Sequence, residues 1–278
     1  MKLFRRWRRQ RHLRDAPIPE PLWEETTALL PLLAGLSNDE QQRLRELVTL
    51  FLNEKIFEPV EGLALPPAAR LLIATQACLP ILNLGLDWYE GWTAIIVYPG
   101  EFAHRGEMMD EDGVIHQHYQ VMSGEAWPQG GVIFSLADVE ASGQCDGYNV
   151  VIHEMAHKLD MHNGEVNGFP PLHAGMQPSA WSAAFSCAFI DMNRRIDNGE
   201  DTPIDPYCTE DAGEFFAVLS EYFFEQPALF KREYAQVYQQ LSLFYRQDPA
   251  ARLLHTPGSR TFNDAPPNSL FPTSSTPS

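Results

Sequence analysis

Residues 153–157 read His-Glu-Met-Ala-His, a pattern whose side chains can bind a metal ion and activate water. His153 and His157 are four residues apart, so on an α-helix they lie one above the other, about 6 Å along the axis. Their imidazoles can therefore converge on one ion from a single face, which suits the tetrahedral geometry of zinc. Glu154 points aside from the first histidine and can take a proton from water at the metal. The pattern predicts a hydrolytic metal site.

The flanking residues predict that this pattern lies on a buried helix. Asn149 is a good N-cap, the residues after it are mostly apolar, and Asn163-Gly164 ends the helix. Asp160 follows His157 by three residues, so its carboxylate can accept an imidazole N–H or a nearby backbone N–H. So much polarity in an apolar helix is costly unless each group is paired, which favours a metal site over a chance match.

A catalytic zinc site needs a third protein ligand, which the two histidines do not supply. Metzincins continue the motif with a glycine and a third histidine, but this chain has Asp160 and Asn163 there, so that class is excluded. The other common solution is an acid on a later helix, and the candidates are Glu210, Asp211, Glu214, Glu221 and Glu225. Glu214 and Glu221 are seven residues apart and share one face of an apolar helix. A metal would offset the cost of burying either carboxylate.

The remaining sequence predicts an α+β fold that is mainly helical. Capping residues and apolar periodicity predict helices within 20–60, 68–79, 181–195, 213–224 and 227–246. Two β-rich runs, 93–98 and 131–136, predict a small sheet beside the motif helix. The second run ends shortly before that helix and is placed to pair with an extended peptide along its edge. Residues 101–130 are predicted to be irregular, with a loop tip at 110–113.

Charge is unevenly distributed along the 278 residues. The formal net charge is −17, yet residues 1–14 contain seven Lys and Arg and no acid, which leaves −24 for the remainder. A body this acidic repels phosphate backbones, so direct binding of nucleic acid is not expected. We expect the basic residues 1–19 to form a solvated, flexible start.

Composition divides the chain into three segments. Residues 20–255 are predicted to form a single domain with a helical N-terminal part, between the basic start at 1–19 and a disordered tail at 256–278 rich in Pro, Ser, Thr and Asn. No apolar run of signal-peptide type follows the arginines, and no run of 18 apolar residues predicts a membrane span. The four cysteines lack C-x-x-C spacing, which fits reduced thiols in a cytosol.

Two further motifs make the chain resemble a known family. Glu214-Phe215-Phe216-Ala217, with Tyr207 seven residues before Glu214, is similar to the motif of the gluzincin peptidases typified by the catalytic domain of anthrax lethal factor. The runs 213–224 and 237–249 resemble the C-terminal half of the Mlc titration factor A family of bacterial cytosolic zinc peptidases. The resemblance covers most of residues 20–255. The combination of H-E-x-x-H-x-x-D with Y-x6-E-F-F-A is far more specific than H-E-x-x-H alone.

The resemblance implies a zincin-like fold, one zinc per chain, aminopeptidase-type activity in the cytoplasm and binding of Mlc, the transcriptional repressor of the glucose system. It assigns the metal ligands to His153, His157 and Glu214, the general base to Glu154 and the oxyanion donor to Tyr207. One position departs from the lethal factor pattern, which has an acid four residues after its ligand glutamate, where this chain has Val218. The ligands then need support from elsewhere, and Glu221 and Asp160 are the candidates.

Two functions of different classes follow from these residues. One is a zinc-dependent peptidase that hydrolyses peptide substrates and also binds Mlc. The alternative is a regulatory binding protein that sequesters the repressor, with hydrolysis secondary. The intact Glu154 favours a working enzyme, because pure binding has no use for a base beside the metal.

Overall fold

The structure is a computed structural model that describes residues 2–60, 62–109, 115–127 and 130–254. The predicted tail at 256–278 and the predicted loop tip at 110–113 lie outside the described residues. Within the described part of the chain, no helix is both long enough and apolar enough to cross a membrane.

Helices make up most of the described chain, as the sequence predicts. In order they are α1 Lys2–Asp15, α2 Glu20–Ala28, α3 Asn38–Glu54, α4 Pro67–Cys78, α5 Leu136–Ala141, α6 Val150–Asp160, α7 Pro178–Asp197, α8 Ala212–Glu225, α9 Pro227–Glu233, α10 Ala235–Tyr245 and α11 Pro249–Leu254. The predicted capping box is present at the start of α3, where the Ser37 hydroxyl accepts the Glu40 N–H and the Glu40 carboxylate accepts the Ser37 N–H. The mainly helical α+β class is therefore confirmed.

The strands form a four-stranded sheet and a separate hairpin. They are β1 Ile56–Pro59, β2 Ala94–Tyr98, β3 Phe102–Met109, β4 Ile115–Met122, β5 Gly124–Ala126 and β6 Val132–Ser135. The sheet has the order β1-β2-β6-β5, in which the first three strands are parallel and β5 is antiparallel to β6. Strands β3 and β4 pair only with each other among the described strands. All four residues of β6 are buried, so this strand lies inside the sheet rather than at its edge.

The structure differs from the predicted secondary structure in three stretches between residues 20 and 246. Residues 101–130 contain β3, β4 and β5 rather than irregular chain. The single helix predicted over 227–246 is two helices, because Tyr234 leaves the helical region with φ −133° and ψ 65°. The stretch 20–60 ends in β1, which lies at an edge of the sheet. Strands of three or four residues are too short to give a clear period-2 pattern, which is why β1 and β5 were not predicted.

The basic start of the chain forms a helix over residues 2–15, where the sequence predicts a flexible segment. Arg9 Nε lies 2.8 Å from Glu54 Oε1, and Arg5 pairs with Glu90 and Asp87. These acids come from α3 and the turn after α4, 45 to 85 residues away in sequence. Acidic residues of the rest of the chain thus bind Arg5 and Arg9 of α1. The composition of residues 1–14 alone does not reveal these long-range ion pairs.

The two helices that carry the motif residues pack side by side in the core. Every residue of α6 except His153 is buried, and every residue of α8 from Phe215 onward is buried. Burying one large apolar side chain contributes about 1.5–3 kcal/mol, so a dozen of them fix the two helices firmly against each other. One buried apolar cluster has members between Ile18 and Ala250. The division of the chain into 1–19, 20–255 and 256–278 stays a prediction.

Candidate metal centre

Helix α6 is held at its first residue by a buried asparagine. Asn149 Oδ1 accepts the Ile152 N–H at 2.9 Å, which is the predicted N-cap. Its Nδ2 donates to Gln76 Oε1 at 2.8 Å and to Glu225 Oε1 at 2.7 Å. All polar atoms of this side chain are therefore satisfied, and the start of the motif helix is fixed in rotation as well as in position.

The N-cap of helix α8 is Asp211, one of the acids that the sequence leaves open as a ligand. Asp211 Oδ1 accepts the N–H groups of Gly213 and Glu214 at 2.7 and 2.9 Å, so this carboxylate caps the helix. A side chain added at Gly213 would place its Cβ 2.5 Å from Val166 Cγ1. The first turn of α8 is consequently packed tightly against the loop that follows α6, and Glu214 projects from that turn.

The structure brings His153, His157 and Glu214 together. The two histidine Nε2 atoms are 3.1 Å apart. Glu214 Oε2 lies 3.1 Å from His153 Nε2, and Glu214 Oε1 lies 3.2 Å from His157 Nε2. One donor atom from each residue lies within 4.8 Å of the others, a separation that one ion can span.

The other candidate acids form hydrogen bonds to other groups or lie away from the two histidine Nε2 atoms. Glu221 Oε1 lies 2.8 Å from His153 Nδ1, and its Oε2 accepts the Asn149 N–H at 2.5 Å. Glu225 accepts from Asn149 Nδ2 and from the Cys145 N–H. Glu210 is exposed at the end of the turn before α8. Among the candidates, Glu214 alone faces both ring nitrogens within the described residues.

Glu221 also fixes the orientation and the tautomer of the His153 ring. A neutral imidazole that donates from Nδ1 to a carboxylate has its lone pair on Nε2, the atom that faces His157 and Glu214. Glu221 thus supplies the support that Val218 cannot. It lies seven residues after Glu214, on the same face of α8, and contacts Nδ1 of His153, the nitrogen that faces away from Glu214.

The electrostatics of the centre favour positive charge. Burial alone would lower the pKa of His153, but the carboxylates of Glu214 and Glu221 outweigh it and raise that pKa well above its usual value. Burial alone would raise the pKa of Glu214, but His153 and His157 hold it well below its usual range. Glu154 Oε2 is buried without a hydrogen-bond partner among the described residues, and Glu214 Oε2, although 3.1 Å from His153 Nε2, makes no hydrogen bond of good geometry. Two imidazoles and a carboxylate that attract positive charge form a donor set that fits a divalent metal ion.

Glu154 lies beside the centre and against strand β5. A Cβ added at Gly124 would be 2.5 Å from Glu154 Oε1, so the glycine backbone packs directly on the carboxylate. Burial raises the pKa of Glu154, which brings a carboxylate closer to the range of a base at neutral pH. The sequence pattern predicts this acid, but it contains no signal for the glycine that covers it.

Tyr207 lies in a short turn before α8 and lines the cleft that opens over His153, His157 and Glu214. Its ring centroid is 6.4 Å from that of His153, and 41% of the residue is exposed. Burial of the hydroxyl, followed by the nearby Glu214 carboxylate, raises the pKa of Tyr207 above its usual value. The hydroxyl therefore stays protonated and available as a hydrogen-bond donor.

The Asp160 carboxylate accepts hydrogen bonds from backbone N–H groups rather than from a histidine ring. Its carboxylate accepts the N–H groups of Asn167, Gly168 and Phe169 at 2.8, 2.7 and 2.9 Å. Gly168 has φ +69°, and a Cβ there would be 2.2 Å from the Ala212 carbonyl oxygen. Of the two roles that the sequence allows, the structure has the backbone one, through which Asp160 places the loop against the start of α8.

A cleft of about 620 Å³ opens over these residues, and its far wall is strand β5. The prediction that the run 131–136 offers a free edge is wrong, because β6 pairs with β2 on one side and with β5 on the other. The edge beside the centre belongs to β5, whose three residues all line the cleft. A strand edge that lines the cleft next to His153, His157 and Glu214 is suited to an extended peptide.

Comparison with known proteins gives a consistent family. The model of the family described as glucose-regulated metallo-peptidase M90 matches residues 4–246. A Cronobacter sakazakii protein named Mlc titration factor A is 39% identical over 249 residues, which are 89% of this chain and 92% of the relative. An Escherichia fergusonii protein of that name is 39% identical over 233 residues, 83% of this chain and 88% of the relative. One from Escherichia coli is 35% identical over 259 residues, 92% of this chain and 96% of the relative.

Proposed function

The chain belongs to the family of glucose-regulated M90 metallo-peptidases, and from that premise we propose that it is a zinc-dependent peptidase of the gluzincin type. The observation that carries the proposal is the convergence of His153, His157 and Glu214, whose donor atoms lie within 4.8 Å of one another. The motif helix, the small sheet beside it and the glutamate on a second helix support a zincin-like fold over the proposed domain 20–255.

His153, His157 and Glu214 would hold one zinc ion per chain, with Glu221 orienting the first histidine. Zinc at these donors supplies a Lewis acid that polarises a carbonyl group and makes water more acidic. The choice of zinc rests on the donor set, because two imidazoles and one carboxylate that leave a position open are typical of catalytic zinc sites.

The reacting groups come from this chain's own side chains. Glu154 accepts a proton from the attacking water and passes it to the leaving amine, as its buried carboxylate beside the centre allows. Tyr207 donates its hydroxyl proton in a hydrogen bond to the oxyanion that develops on the scissile carbonyl. The edge of β5 binds the extended substrate backbone. We extend the proposal to an aminopeptidase type of activity, as the family resemblance implies.

Chelation tests this function directly. Zinc-loaded protein should hydrolyse a panel of short peptides with free amino termini, lose more than about 90% of that activity after treatment with a chelator, and regain it when zinc is added back. A matching panel with acetylated amino termini tests the aminopeptidase type. Hydrolysis that persists after complete metal removal would contradict the proposed chemistry.

Replacing Tyr207 with phenylalanine should reduce kcat by roughly ten- to a thousand-fold with little change in KM, because the hydroxyl acts mainly on the transition-state oxyanion. Steady-state kinetics on one peptide measures both constants. Tyr148→Phe is the matched control, since this tyrosine lines the same cleft but its hydroxyl is bound to Asp138 Oδ1 at 3.1 Å. An unchanged kcat in folded Tyr207→Phe would assign the ring to packing alone.

The name shared by the relatives supports a second function. Mlc titration factor A describes a protein that titrates Mlc, so we propose that this chain also binds that repressor. Because a bacterial repressor acts on DNA in the cytoplasm, we extend the proposal to a cytoplasmic location for this chain. In the alternative form of this proposal, sequestration is the main role and hydrolysis is secondary.

A further inference from the structure

A buried lysine on the motif helix contacts the turn that follows β5, the strand that forms the far wall of the cleft. Lys158 follows His157 on α6 and is 4% exposed. Its Nζ donates to the carbonyl oxygens of Trp127 at 2.5 Å and Gly130 at 2.9 Å. Both carbonyls belong to the turn that joins β5 to β6. Burying an ammonium group is costly unless it is hydrogen-bonded. The buried position of Lys158 therefore depends on the two carbonyl acceptors in the turn, and the lysine holds that turn to α6.

The turn and the strand before it share one face of α6. Val150, Glu154 and Lys158 are spaced by four residues and form a single row along the helix. A Cβ added at Gly124, the first residue of β5, would be 2.8 Å from Val150 Cγ2 and 2.5 Å from Glu154 Oε1. Val150 and Glu154 therefore contact the first residue of β5, and Lys158 binds the turn that follows the last residue of this strand.

Strand β5 is a short strand at the end of the sheet. It is three residues long, β6 is the one strand with which it pairs among those that the structure describes, and its residues line the cleft. Its turn is closed by backbone bonds of 3.2 Å from Trp127 N–H to the Gly131 carbonyl and from Gly130 N–H to the Trp127 carbonyl. A short edge strand with such bonds opens easily unless other groups restrain it.

We propose that Lys158 is a positioning residue that fixes strand β5 against the metal helix, and so sets the distance between the substrate-binding edge and Glu154. Lys158 is not among the residues that line the cleft, and its two hydrogen bonds go to the turn rather than to His153, His157 or Glu214. It acts through the Trp127 and Gly130 carbonyls, which carry the strand with them. The catalytic part of this inference rests on the proposed peptidase function, whereas the positional part does not.

A second buried lysine provides a matched control. Lys55 is 7% exposed, and its Nζ donates to the carbonyl oxygens of Tyr89 at 2.6 Å and Trp92 at 2.7 Å. Its Nζ lies 3.4 Å from the centroid of the Trp92 ring, and Lys158 Nζ lies 5.2 Å from the same centroid. The two lysines thus share burial, paired carbonyl acceptors and an aromatic neighbour, but Lys55 does not hold the cleft wall.

The experiment compares Lys158→Met with Lys55→Met in the zinc-loaded full chain. Hydrogen exchange followed by mass spectrometry should show amides in 123–127 exchanging about tenfold faster or more in Lys158→Met, and at the parent rate in Lys55→Met. Zinc affinity should stay within about threefold of the parent in both, because neither lysine contacts the three metal-binding residues. KM for a peptide should rise about tenfold in Lys158→Met, with kcat falling less.

Lys158→Gln, whose amide keeps one donor group, provides an intermediate case and replaces Lys158→Met if that variant does not fold. Parent-like exchange in 123–127 for folded Lys158 variants would overturn the inference, and so would equal acceleration in Lys55→Met. A parent protein that binds zinc but cleaves no peptide would refute the proposed function, while the exchange measurement would still decide whether Lys158 holds β5.

Discussion

Glu154→Gln should lower the rate of peptide hydrolysis about a hundredfold or more while zinc stays bound. Glutamine keeps the shape of the side chain under Gly124, so the local packing is preserved. It cannot accept and return a proton, which is the role proposed for this buried carboxylate. A hundredfold loss corresponds to about 2.7 kcal/mol of transition-state stabilisation. The measurement is kcat/KM for one peptide, with zinc content determined on the same preparation.

Glu210→Gln is the control for loss of charge. Glu210 is an exposed acid that acts electrostatically on Tyr207 but lies outside the metal-binding set. Removing its charge should change kcat/KM by less than about threefold. Hydrolysis by Glu154→Gln at the parent rate would remove the general-base role, and a loss of zinc in that variant would mean that Glu154 has a structural part in the centre.

The same variant separates the two proposed functions. Mlc binding should persist in Glu154→Gln, because the carboxylate is buried beneath the cleft and leaves the outer surface unchanged. In cells that carry this variant in place of the parent chain, full release of the repressor's target genes would assign regulation to titration. Loss of that response with normal binding would mean that cleavage is part of the signal.

Glu214→Ala should lower zinc affinity by more than a hundredfold, whereas Glu221→Ala should lower it by about tenfold. The structure explains the difference. Glu214 faces the Nε2 atoms of both histidines, while both oxygens of Glu221 are taken by His153 Nδ1 and the Asn149 N–H. Competition with a chromophoric chelator measures both affinities. The reverse order of effects would move the third ligand to Glu221.

The parts of the centre that follow from sequence are those with local signals. The Asn149 cap and the apolar residues after it predict α6, and the apolar run after Gly213 predicts α8, so both helices were expected near their observed bounds. The choice between Glu214 and Glu221 could not be made from spacing, because both lie on one face of α8. It depends on which nitrogen of His153 each carboxylate meets, and that is set by how two distant helices pack.

The parts that sequence missed depend on long-range contacts. Strand β5 is three residues long and becomes an edge only because β6 pairs with β2, so its role beside the centre has no local pattern. The arginines of α1 looked like a solvated segment because their partners Glu54 and Glu90 are far away in sequence. No local pattern signals the role of Lys158, because its partners Trp127 and Gly130 are 31 and 28 residues away in sequence.

Hydrolysis should require one zinc ion bound by His153, His157 and Glu214. Elemental analysis of purified, active protein measures this requirement, with Glu154→Gln and Glu214→Ala prepared in parallel. We expect about one zinc per chain in the parent and in Glu154→Gln, and less than about one tenth of that in Glu214→Ala. Active parent protein without a transition metal, or a full complement of zinc in Glu214→Ala, would contradict it.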